Sequence, residues 1–456
     1  MATVQPTLET VTTIRDDGSR RFIHPADVRG RFTAMRSLAG LVLMAVYVAL
    51  PWIPVNGNPA VFLDVSNRQV HLFGLTLAPQ DYWLAFFLVT GAGFILFYLT
   101  ALLGRVWCGW ACPQTVFLDL IRRVERLIEG DSVARQGLDA SPWTTGKVIR
   151  RGLKNLVFTL FALALAHVFL SYFVSLRGLY SMVLQSPLEH WSAFIFVFLM
   201  TGALWFDFAW FREQFCIVMC PYGRLQSALI DDDSIVIGYD RKRGEPRGKL
   251  NTPGAGDCID CRRCVQVCPT GIDIRQGLQL ECIACSSCID ACDEVMDKLN
   301  RPRGLVRYDS TKGLAGLKRR FIRPRMLLYT ALLLLGAVVM TVSVCSFRPA
   351  TVSVVRMTGE PFYVEDGNVR NQFLIRIINK QNHVEIFKIR LLDAPEGWIC
   401  GGSEDQVPVS ALSEQIRPLI IVAPRAAYHG SQSVRIAVSA ENGKFIIEKP
   451  IPFLGP

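Results

Sequence analysis

Two runs of sequence decide the fold of the cluster-binding part: CIDCRRCVQVCP at residues 258–269 and CIACSSCIDAC at residues 282–292. Each run has the spacing C-x-x-C-x-x-C-x-x-x-C, and the first ends in proline, as in bacterial proteins with two cubane iron–sulfur clusters. Three closely spaced thiolates wrap one cluster, while the fourth reaches the other. The predicted ligand sets are Cys258, Cys261, Cys264 and Cys292 for cluster 1, and Cys282, Cys285, Cys288 and Cys268 for cluster 2.

Zinc sites and disulfides are the alternative interpretations of such a cysteine-rich segment. Zinc sites normally use two C-x-x-C pairs separated by a longer insert, and disulfides need an oxidising compartment. Asp293 follows Cys292 where a second proline is usual, but proline only shapes the backbone after the ligand. Two [4Fe-4S] clusters are therefore favoured, and the chain is expected to transfer electrons.

The composition is that of a membrane protein. Hydrophobic residues make up 51% of the 456 residues. They are concentrated in stretches that are each about the length needed to cross a bilayer as a helix. The sequence therefore predicts five spans, at residues 37–55, 82–103, 156–176, 191–211 and 326–344.

The formal net charge of +10 follows the membrane and does not point to a nucleic-acid partner. Six arginines precede the first span and nine lysines or arginines lie in the connection 104–154, whereas the loops 56–81 and 177–190 carry one arginine each. Lysine and arginine are enriched in cytoplasmic loops. We therefore expect the N-terminus, the second connection and the iron–sulfur segment in the cytoplasm, and the C-terminus outside.

The region after the fifth span has the pattern of a β-domain. Short runs of alternating apolar and polar residues, separated by turn residues, predict an immunoglobulin-like β-sandwich. A shorter alternating stretch at 61–75 predicts a small external hairpin. The fold class is thus multi-domain, and the predicted domains are a cytoplasmic leader (1–36), a four-span α-helical membrane domain (37–230), a cytoplasmic ferredoxin-like domain with two [4Fe-4S] clusters (231–325), a fifth transmembrane helix (326–346) and a periplasmic immunoglobulin-like domain (347–456).

A second set of cysteines occurs in paired C-x-x-x-C-P motifs, each after an apolar stretch of a duplicated helical hairpin. Proline is favoured at the first helical position, which would make Cys112 and Cys220 N-caps. The helix dipole is expected to lower the pKa of a thiol there. Soft thiolates select Cu(I), zinc or iron–sulfur chemistry, with Met219 as a candidate thioether ligand. The four candidate thiols are Cys108, Cys112, Cys216 and Cys220.

The alternative interpretation of these four cysteines is that they are small buried apolar residues at helix ends. Pro113 also begins an amphipathic helix that is expected to lie on the inner membrane surface. Its predicted apolar face consists of Val116, Phe117, Leu120, Ile121, Val124, Leu127 and Ile128.

Two ionisable residues inside predicted spans are further candidates. His167 is interpreted as a hydrogen-bonded packing residue, because no second histidine at helical spacing suggests haem ligation. Asp207 is expected to pair with Arg105 or Arg212, or to take a proton or metal role.

Two cysteines remain after the cluster and C-x-x-x-C-P sets. Cys345 and Cys400 are interpreted as two thiols and not as a disulfide. No G-x-G-x-x-G or Walker pattern occurs in the sequence. The electrons are therefore expected to come from an external donor.

The order of motifs resembles a known family. Trp107-Cys108-Gly-Trp-Ala-Cys112-Pro113-Gln114 and Cys216-Ile-Val-Met-Cys220-Pro221 precede the two-cluster segment, the fifth span and the β-domain. This order, over nearly the whole chain, resembles the bacterial cytochrome c oxidase accessory protein family of the FixG/RdxA/CcoG type. Its C-terminal β-domain separates that family from the related membrane ferredoxins of nitrate and nitrous oxide respiration.

The resemblance implies an inner-membrane cupric reductase that provides Cu(I) for assembly of a cbb3-type oxidase, with copper as substrate or bound ion. It implies that the eight cluster cysteines relay electrons and that the four C-x-x-x-C-P thiols handle copper. The expected partners are the lipid bilayer, cbb3-type oxidase subunits or copper chaperones, an external electron donor and a second copy of the chain in a homodimer.

Two other functions stay open from the sequence. One is a quinol-linked electron carrier that feeds a partner reductase, which would need a quinone pocket near His167 or the external loops. The other is an oxidase assembly scaffold whose β-domain binds oxidase subunits. No motif marks a quinone pocket.

Overall fold

The computed structural model describes residues 13, 20, 22–77, 79–250, 252–345, 349–381, 383–395, 397–401, 406–428, 430–440 and 445–456. Most of the predicted leader lies outside these residues. The chain divides into two compact units, one formed by Met1–Ile53 and Phe86–Val339 and the other by Pro54–Ala85 and Met340–Pro456.

Helices dominate the first unit. In chain order the helices are α1 (Arg31–Ala49), α2 (Tyr82–Leu103), α3 (Val106–Trp110), α4 (Pro113–Glu129), α5 (Ser132–Ala140), α6 (Thr145–Leu170), α7 (Leu176–Leu184), α8 (Trp191–Phe206), α9 (Pro221–Leu229), α10 (Arg241–Gly244), α11 (Arg263–Gln266), α12 (Ser287–Lys298), α13 (Thr311–Leu314) and α14 (Pro324–Cys345). Two π-helical segments, Asp207–Phe211 and Phe215–Met219, follow α8.

Strands dominate the second unit. In chain order the strands are β1 (Pro54–Val55), β2 (Asn58–Pro59), β3 (Val61–Asp64), β4 (Gln69–Leu72), β5 (Leu75–Leu77), β6 (Ile235–Tyr239), β7 (Val306–Ser310), β8 (Ala350–Arg356), β9 (Tyr363–Glu365), β10 (Asn368–Asn379), β11 (Glu385–Leu392), β12 (Ile399–Gly401), β13 (Val407–Val409), β14 (Glu414–Pro424), β15 (Gln432–Ala440) and β16 (Ile446–Phe453). Of these, β6 and β7 belong to the first unit.

Five helices in the described part of the chain are long and apolar enough to cross a membrane: α1, α2, α6, α8 with its π-helical extension, and α14. Two predicted spans, the first and the third, differ most from the structure. The first helix begins at Arg31 and ends at Ala49, because prolines at 51 and 54 turn the chain into β1. The third begins at Thr145, where the side chain of Thr144 accepts a hydrogen bond from the amide of Lys147 and caps the helix.

The ends of three of these helices, α1, α2 and α14, contact the ferredoxin-like part of the first unit. Helices α1 and α14 begin at this part and α2 ends at it, so successive apolar helices can alternate in direction. The contacts are Arg36 with the carbonyl of Cys285, Arg105 with the carbonyl of Cys282, and Arg323 with the carboxylate of Asp231.

The ferredoxin-like part is built on the antiparallel pair β6 and β7. Its core consists of buried apolar residues from these strands and from α12, together with buried cysteines. The carboxylate of Asp290, in α12, accepts hydrogen bonds from the amides of Phe32 and Thr33 at 3.2 and 2.7 Å. Asp290 therefore caps α1 and ties the cluster segment to the first apolar helix. Gly30 precedes this cap, and a Cβ there would collide with Asp290.

Helix α4 is more deeply packed than its pattern predicts. Its fully buried residues include Leu118 and Ile121, which lie in a core with Phe158 of α6. They also include Glu125 and Glu129, whereas Leu127 of the predicted apolar face is 86% exposed. Of the predicted face, Ile121 is buried and Phe117 and Val124 pack against the same core, so part of this face makes contacts within the protein. Contact of α4 with the membrane surface stays a prediction.

Two antiparallel sheets form the C-terminal domain in the second unit. One has the strand order β12-β14-β10-β8, with β9 also paired to β10, and the other has the order β13-β11-β15-β16. Phe373, Ile375 and Ile377 alternate along β10 and point into a shared apolar core. The predicted β-sandwich is therefore confirmed.

The predicted external hairpin is a three-stranded sheet of β3, β4 and β5. It packs within the second unit, where the side-chain amide of Gln69 donates to the carbonyl of Leu412 at 3.1 Å. Lys380 pairs with Asp81 at 2.6 Å next to this sheet. The β-domain thus supplies partners to a sheet that is too small to be stable alone.

Candidate functional site

Two cavities in the ferredoxin-like part are each lined by four of the predicted ligands. Cavity 1 is lined by Cys258, Cys261, Cys264 and Cys292, and cavity 2 by Cys268, Cys282, Cys285 and Cys288. Cys264 also borders cavity 2, so the two cavities are neighbours. The fold thus brings the cysteines together in the crossed sets that the spacing predicts. Binding of iron by these individual thiols stays a prediction.

The two cysteine loops share an unusual backbone. In the first loop Asp260 and Arg262 adopt positive φ values of 54° and 55°, and in the second Ala284 and Ser286 adopt 53° and 64°. These residues occupy equivalent places, directly before and after the second cysteine of each run. Non-glycine residues with such φ values concentrate at functional sites, and turns of this kind aim backbone N–H groups at anionic clusters. Both loops are therefore preorganised.

Asp293 takes the place of the second proline in the pattern. Its carboxylate accepts a hydrogen bond from the amide of Gly304 at 2.9 Å. The aspartate therefore restrains the backbone after Cys292 through a side-chain hydrogen bond. A proline at this position would restrain the same backbone through its ring.

The spread of the thiols fits cubane clusters better than single ions. Among the described residues, no three His, Cys, Asp or Glu side chains are placed to hold one metal ion. A zinc ion needs its four ligands within one tetrahedral shell, whereas a cubane distributes four thiolates over separate irons. Burial raises the pKa of Cys264, Cys282 and Cys292 to about 12, so these thiols are neutral at neutral pH when no metal is bound. A coordinating metal removes the proton, because it binds the thiolate.

The four C-x-x-x-C-P thiols lie close enough to one another to interact electrostatically. Cys216 is affected by Cys112, Cys108 and Cys220, and Cys108 by Cys112 and Cys220. Cys112 and Cys220 are N-caps, with proline at the first position of α4 and α9, as predicted. The two motifs therefore converge, although no three of the thiols are placed around one ion.

The predicted lowering of the thiol pKa is wrong for Cys112. Burial raises its pKa, and the backbone amides of Gln114 and Thr115 offset this only in part. Burial also raises the pKa of Cys108 to about 11 and that of Cys216 to about 12. The cost of desolvating a thiolate therefore outweighs the helix dipole at this site.

The first C-x-x-x-C-P motif packs directly on the loop of cavity 2. Gly109 is buried there, and a Cβ at this position would collide with the carbonyl of Ala284. Arg105 donates to the carbonyls of Cys282 and Gly223, at 3.1 and 3.2 Å. One arginine thus holds the motif, the second cluster loop and α9 together.

A hydrogen-bonded chain joins the same motif to the same loop. The indole of Trp110 donates to the hydroxyl of Tyr308 at 3.0 Å, and that hydroxyl is 3.0 Å from the carbonyl of Ala284. Ser286 lies 2.6 Å from the Tyr308 hydroxyl. Tyr308 could not be predicted from the sequence, because its role depends on pairing between β7 and β6.

Gln226 is a site residue that sequence reasoning missed. It is 0% exposed, its Nε2 donates to the sulfur of Cys108 at 2.9 Å, and its Oε1 has no partner in the described part of the protein. A buried carbonyl oxygen without a partner is costly, so the position is suited to a ligand or water beside Cys108.

Buried ion pairs fix the helices that carry the two motifs. Glu125 of α4 pairs with Arg212, which follows α8, and with Arg135 at 3.3 Å. Burial alone would raise the pKa of Glu125, but Arg212, with Lys154 and Arg135, lowers it to about 2. Glu125 is therefore ionised throughout the neutral range.

Comparison with known families gives matches over three parts of the chain. Residues 84–130 match a "4Fe-4S binding domain", residues 211–311 a "4Fe-4S dicluster domain", and residues 340–456 an "IG-like fold at C-terminal of FixG". The third match shows that the sandwich of the second unit is immunoglobulin-like, as predicted.

Two curated relatives align over most of this chain. Protein RdxA of Cereibacter sphaeroides is 37% identical over 89% of this chain and 90% of the relative. Nitrogen fixation protein FixG of Rhizobium meliloti is 35% identical over 81% of this chain and 80% of the relative. The chain belongs to the FixG/RdxA family.

Membership of the FixG/RdxA family, together with the apolar helices, makes this a membrane-associated iron–sulfur protein of electron transfer with two [4Fe-4S] clusters. A more distant relative, ferredoxin-type protein NapH of Haemophilus influenzae, is 25% identical over 59% of this chain and 90% of the relative. In this FixG/RdxA family member, the segment that matches the "4Fe-4S binding domain" includes Cys108 and Cys112.

Asp207 of this FixG/RdxA family member is bound by a neutral side chain. Asp207 accepts hydrogen bonds from the side-chain amide of Gln114 at 2.9 and 2.8 Å. The predicted ion pair with Arg105 or Arg212 is therefore wrong, since Arg212 pairs with Glu125 and Arg105 binds carbonyls.

His167 makes a hydrogen bond of the kind that the sequence predicts. Nδ1 of His167 is 2.8 Å from the carbonyl of Leu163, one turn earlier in α6, which fits a hydrogen-bonded packing role. Cys345 is exposed and Cys400 is partly buried, and no disulfide joins the two in the described part of the chain.

Met219 is exposed, whereas the four C-x-x-x-C-P thiols are partly buried. It ends the second π-helical segment and is 62% exposed. A role as thioether ligand stays a prediction.

Proposed function

We propose that this member of the FixG/RdxA family is a cupric reductase that reduces Cu(II) to Cu(I) at Cys108, Cys112, Cys216 and Cys220. The observation that carries the proposal is the packing of Gly109 on Ala284, which brings the first motif onto the loop of cavity 2. Copper held by these thiols would lie beside the cluster-binding loop, and soft thiolates favour the Cu(I) product.

We assign the two clusters to the two cavities. Cluster 1 would be held by Cys258, Cys261, Cys264 and Cys292, and cluster 2 by Cys268, Cys282, Cys285 and Cys288. When bound, the clusters supply electrons one at a time, and the conversion of Cu(II) to Cu(I) consumes one electron and no proton. The contribution of the chain is positional, because Cys264 borders both cavities and Arg105 bridges cavity 2 to the copper-handling motifs.

Copper binding requires movement of the four thiols. No three of them are placed around one ion in the described residues, although all four influence one another. Cys216 lies in the π-helical segment Phe215–Met219, and π-helical turns are frequent at functional sites. We infer that this segment adjusts to bring its thiols to the ion.

The cluster face is assigned to the cytoplasm and the immunoglobulin-like domain to the periplasm of a bacterial inner membrane. The support is the charge distribution, with nine lysines or arginines in residues 104–154 against one arginine in each of the loops 56–81 and 177–190. Thiols stay reduced in the cytoplasm, which both cysteine sets require.

The Cu(I) product would serve assembly of a cbb3-type oxidase, through oxidase subunits or a copper chaperone. This part of the proposal rests on the family. The immunoglobulin-like domain is the part that distinguishes the FixG/RdxA family from NapH-type ferredoxins, so we assign contact with the oxidase to it.

A second candidate function is that of an electron carrier for a partner reductase. The similarity to NapH favours it, because that relative aligns over 90% of its own length with a segment of this chain. A carrier needs the two clusters but has no use for four converging thiols.

An anaerobic assay of Cu(I) formation separates the two functions. The purified protein is mixed with Cu(II) and with an excess of an electron donor other than dithionite. We expect the rate of Cu(I) formation to fall at least about tenfold in Cys108→Ala and Cys216→Ala, equivalent to about 1.4 kcal/mol in the barrier. Cys345→Ala, an exposed cysteine outside both sets, is the matched control.

Iron and acid-labile sulfide must stay at the wild-type level in these variants. An unchanged rate in both thiol variants would rule out the thiols as the copper site. Cluster reduction without Cu(I) formation in the wild type would favour the carrier.

A further inference from the structure

A pocket of about 390 Å³ opens on the cluster face, between the start of α1, helix α4 and the loop of cavity 2. Its size lies within the range of small-molecule sites. Six arginines line it against two carboxylates, those of Asp27 and Asp119. The arginines are Arg29, Arg36, Arg122, Arg123, Arg126 and Arg135.

Part of this positive charge is already paired. Arg135 pairs with Glu125 at 3.3 Å, Arg122 pairs with Glu213, and Arg126 pairs with Asp27. These ion pairs hold the walls of the pocket together and leave little charge for a ligand.

Two of the three remaining arginines have no carboxylate to match them among the described residues. Arg29 and Arg123 are exposed, and neither has an acidic partner among the described residues. Arg36 pairs with Asp119 at 2.8 Å, yet its Nε is buried and makes no hydrogen bond within the described part of the chain. A buried donor without an acceptor is costly, so this Nε favours an acceptor inside the pocket.

The chemistry of the walls selects the kind of anion. Guanidinium groups bind phosphate through paired N–H donors, and several of them around one cavity favour a multiply charged group. The two arginines without a carboxylate, Arg29 and Arg123, carry more positive charge than one carboxylate would neutralise. The arrangement therefore fits a phosphate or diphosphate better than a carboxylic acid.

The pocket also adjoins the redox centre. Pro269, which follows Cys268, and Ser287 both line it. The hydroxyl of Ser287 is 3.7 Å from the sulfur of Cys285, and Arg36 donates to the carbonyl of Cys285 at 2.9 Å. A ligand in this pocket would touch the same loop that lines cavity 2.

We propose that this pocket is a binding site for a phosphate-bearing ligand, held by Arg29, Arg36 and Arg123 against the loop of the second cluster. The phosphate could belong to a soluble nucleotide-type molecule or to the headgroup of an anionic phospholipid, since α1 begins at this pocket. The proposal is independent of the copper chemistry.

The test uses the full-length, cluster-loaded protein in nanodiscs of phosphatidylcholine, with inorganic pyrophosphate as the probe in calorimetric titration. We expect saturable binding that weakens at least about tenfold in the double variant Arg29→Gln/Arg123→Gln. Arg150→Gln, an exposed arginine of α6 outside the pocket, should bind like the wild type. Iron content and the two single variants check that the fold is retained.

A second arm distinguishes the two sources of phosphate. Native mass spectrometry of protein from phosphatidylglycerol nanodiscs measures retained lipid in the wild type and in the double variant. A lipid site is identified if the wild type retains phosphatidylglycerol, the double variant loses it, and phosphatidylglycerol blocks pyrophosphate binding to the wild type. A soluble ligand is identified if phosphatidylglycerol leaves pyrophosphate binding to the wild type unchanged. The proposal is overturned if the wild type binds neither probe, or if the double variant binds both as tightly.

Discussion

The loops of the two cavities and the pair of C-x-x-x-C-P motifs use the same ligand atom in opposite ways. In the cluster loops, four left-handed residues at equivalent places fix the backbone around cavities that already group four thiols each. In the motifs, four thiols converge at helix N-termini and a π-helical segment but do not yet surround one ion. A permanent cofactor suits a rigid cage, and a metal that must be released suits an adjustable one.

The crossed ligand sets give the largest expected effect. Cys292 follows the second cysteine run in sequence but lines cavity 1. We expect Cys292→Ser to lose about half of the iron and sulfide and the signal of cluster 1, while the signal of cluster 2 persists. Electron paramagnetic resonance of the reduced protein, with Cys268→Ser as the reciprocal variant, measures this. Loss of the cluster 2 signal in Cys292→Ser would mean that the loops are not the crossed cages described.

The buried ion pairs test whether the motif helices are as firmly held as the cluster loops. We expect Glu125→Gln to lower stability by about 3–5 kcal/mol, because Arg212 and Arg135 would be left buried without their partner. The thermal midpoint of the detergent-solubilised protein measures this, with the exposed Glu189→Gln as the control.

The pH dependence of that difference follows from the lowered pKa. The folded-state pKa of Glu125 is about 2 and its ordinary value is 4.5, so its stabilising contribution is complete above about pH 4.5 and declines as pH falls toward 2. The difference between wild type and Glu125→Gln should thus stay constant from pH 6 to pH 8. A difference that shrinks within this range would contradict the ion-pair account.

The contact between the two regions is tested at Gly109. A Cβ at this position would meet the carbonyl of Ala284, so Gly109→Ala should cost about 1–3 kcal/mol and slow Cu(I) formation. Gly146→Ala, where a Cβ meets nothing within 4 Å, is the matched control. Equal rates for both variants would show that close packing of the first motif on the second loop does not matter for the reaction.

Gln226 should give the smallest effect. Gln226→Leu removes the hydrogen bond to Cys108, and we expect Cu(I) to bind about threefold to tenfold more weakly while the iron content stays unchanged. Competition with a Cu(I) chelator measures the affinity. Restoration by Gln226→Asn would show that the amide itself is needed, and unchanged affinity in both variants would assign Gln226 to packing alone.

Local patterns made the fold predictable from the sequence. The spacing of the two cysteine runs predicts which four cysteines share each cavity, and the unbroken apolar stretches predict the five candidate spans. The alternation of Phe373, Ile375 and Ile377 was enough to predict the β-sandwich. In each case the information lies within a short segment.

The candidate site was less predictable because its contacts join distant segments. Nothing near Gly109 in the sequence indicates Ala284, and nothing near Gln226 indicates Cys108. The predicted pKa of Cys112 was wrong because burial depends on tertiary packing, whereas the helix dipole is a local effect. The burial of Glu125 could not be predicted for the same reason, because it too depends on tertiary packing.

The most direct test of the central claim is freeze-quench electron paramagnetic resonance of the chemically reduced, anaerobic protein mixed with one equivalent of Cu(II). The account predicts that the Cu(II) signal and the signal of the reduced cluster 2 disappear together and in equal amounts. Both signals should persist in Cys108→Ala/Cys216→Ala. A Cu(II) signal that persists in the wild type beside a reduced cluster, or one that disappears equally fast in the double variant, would contradict it.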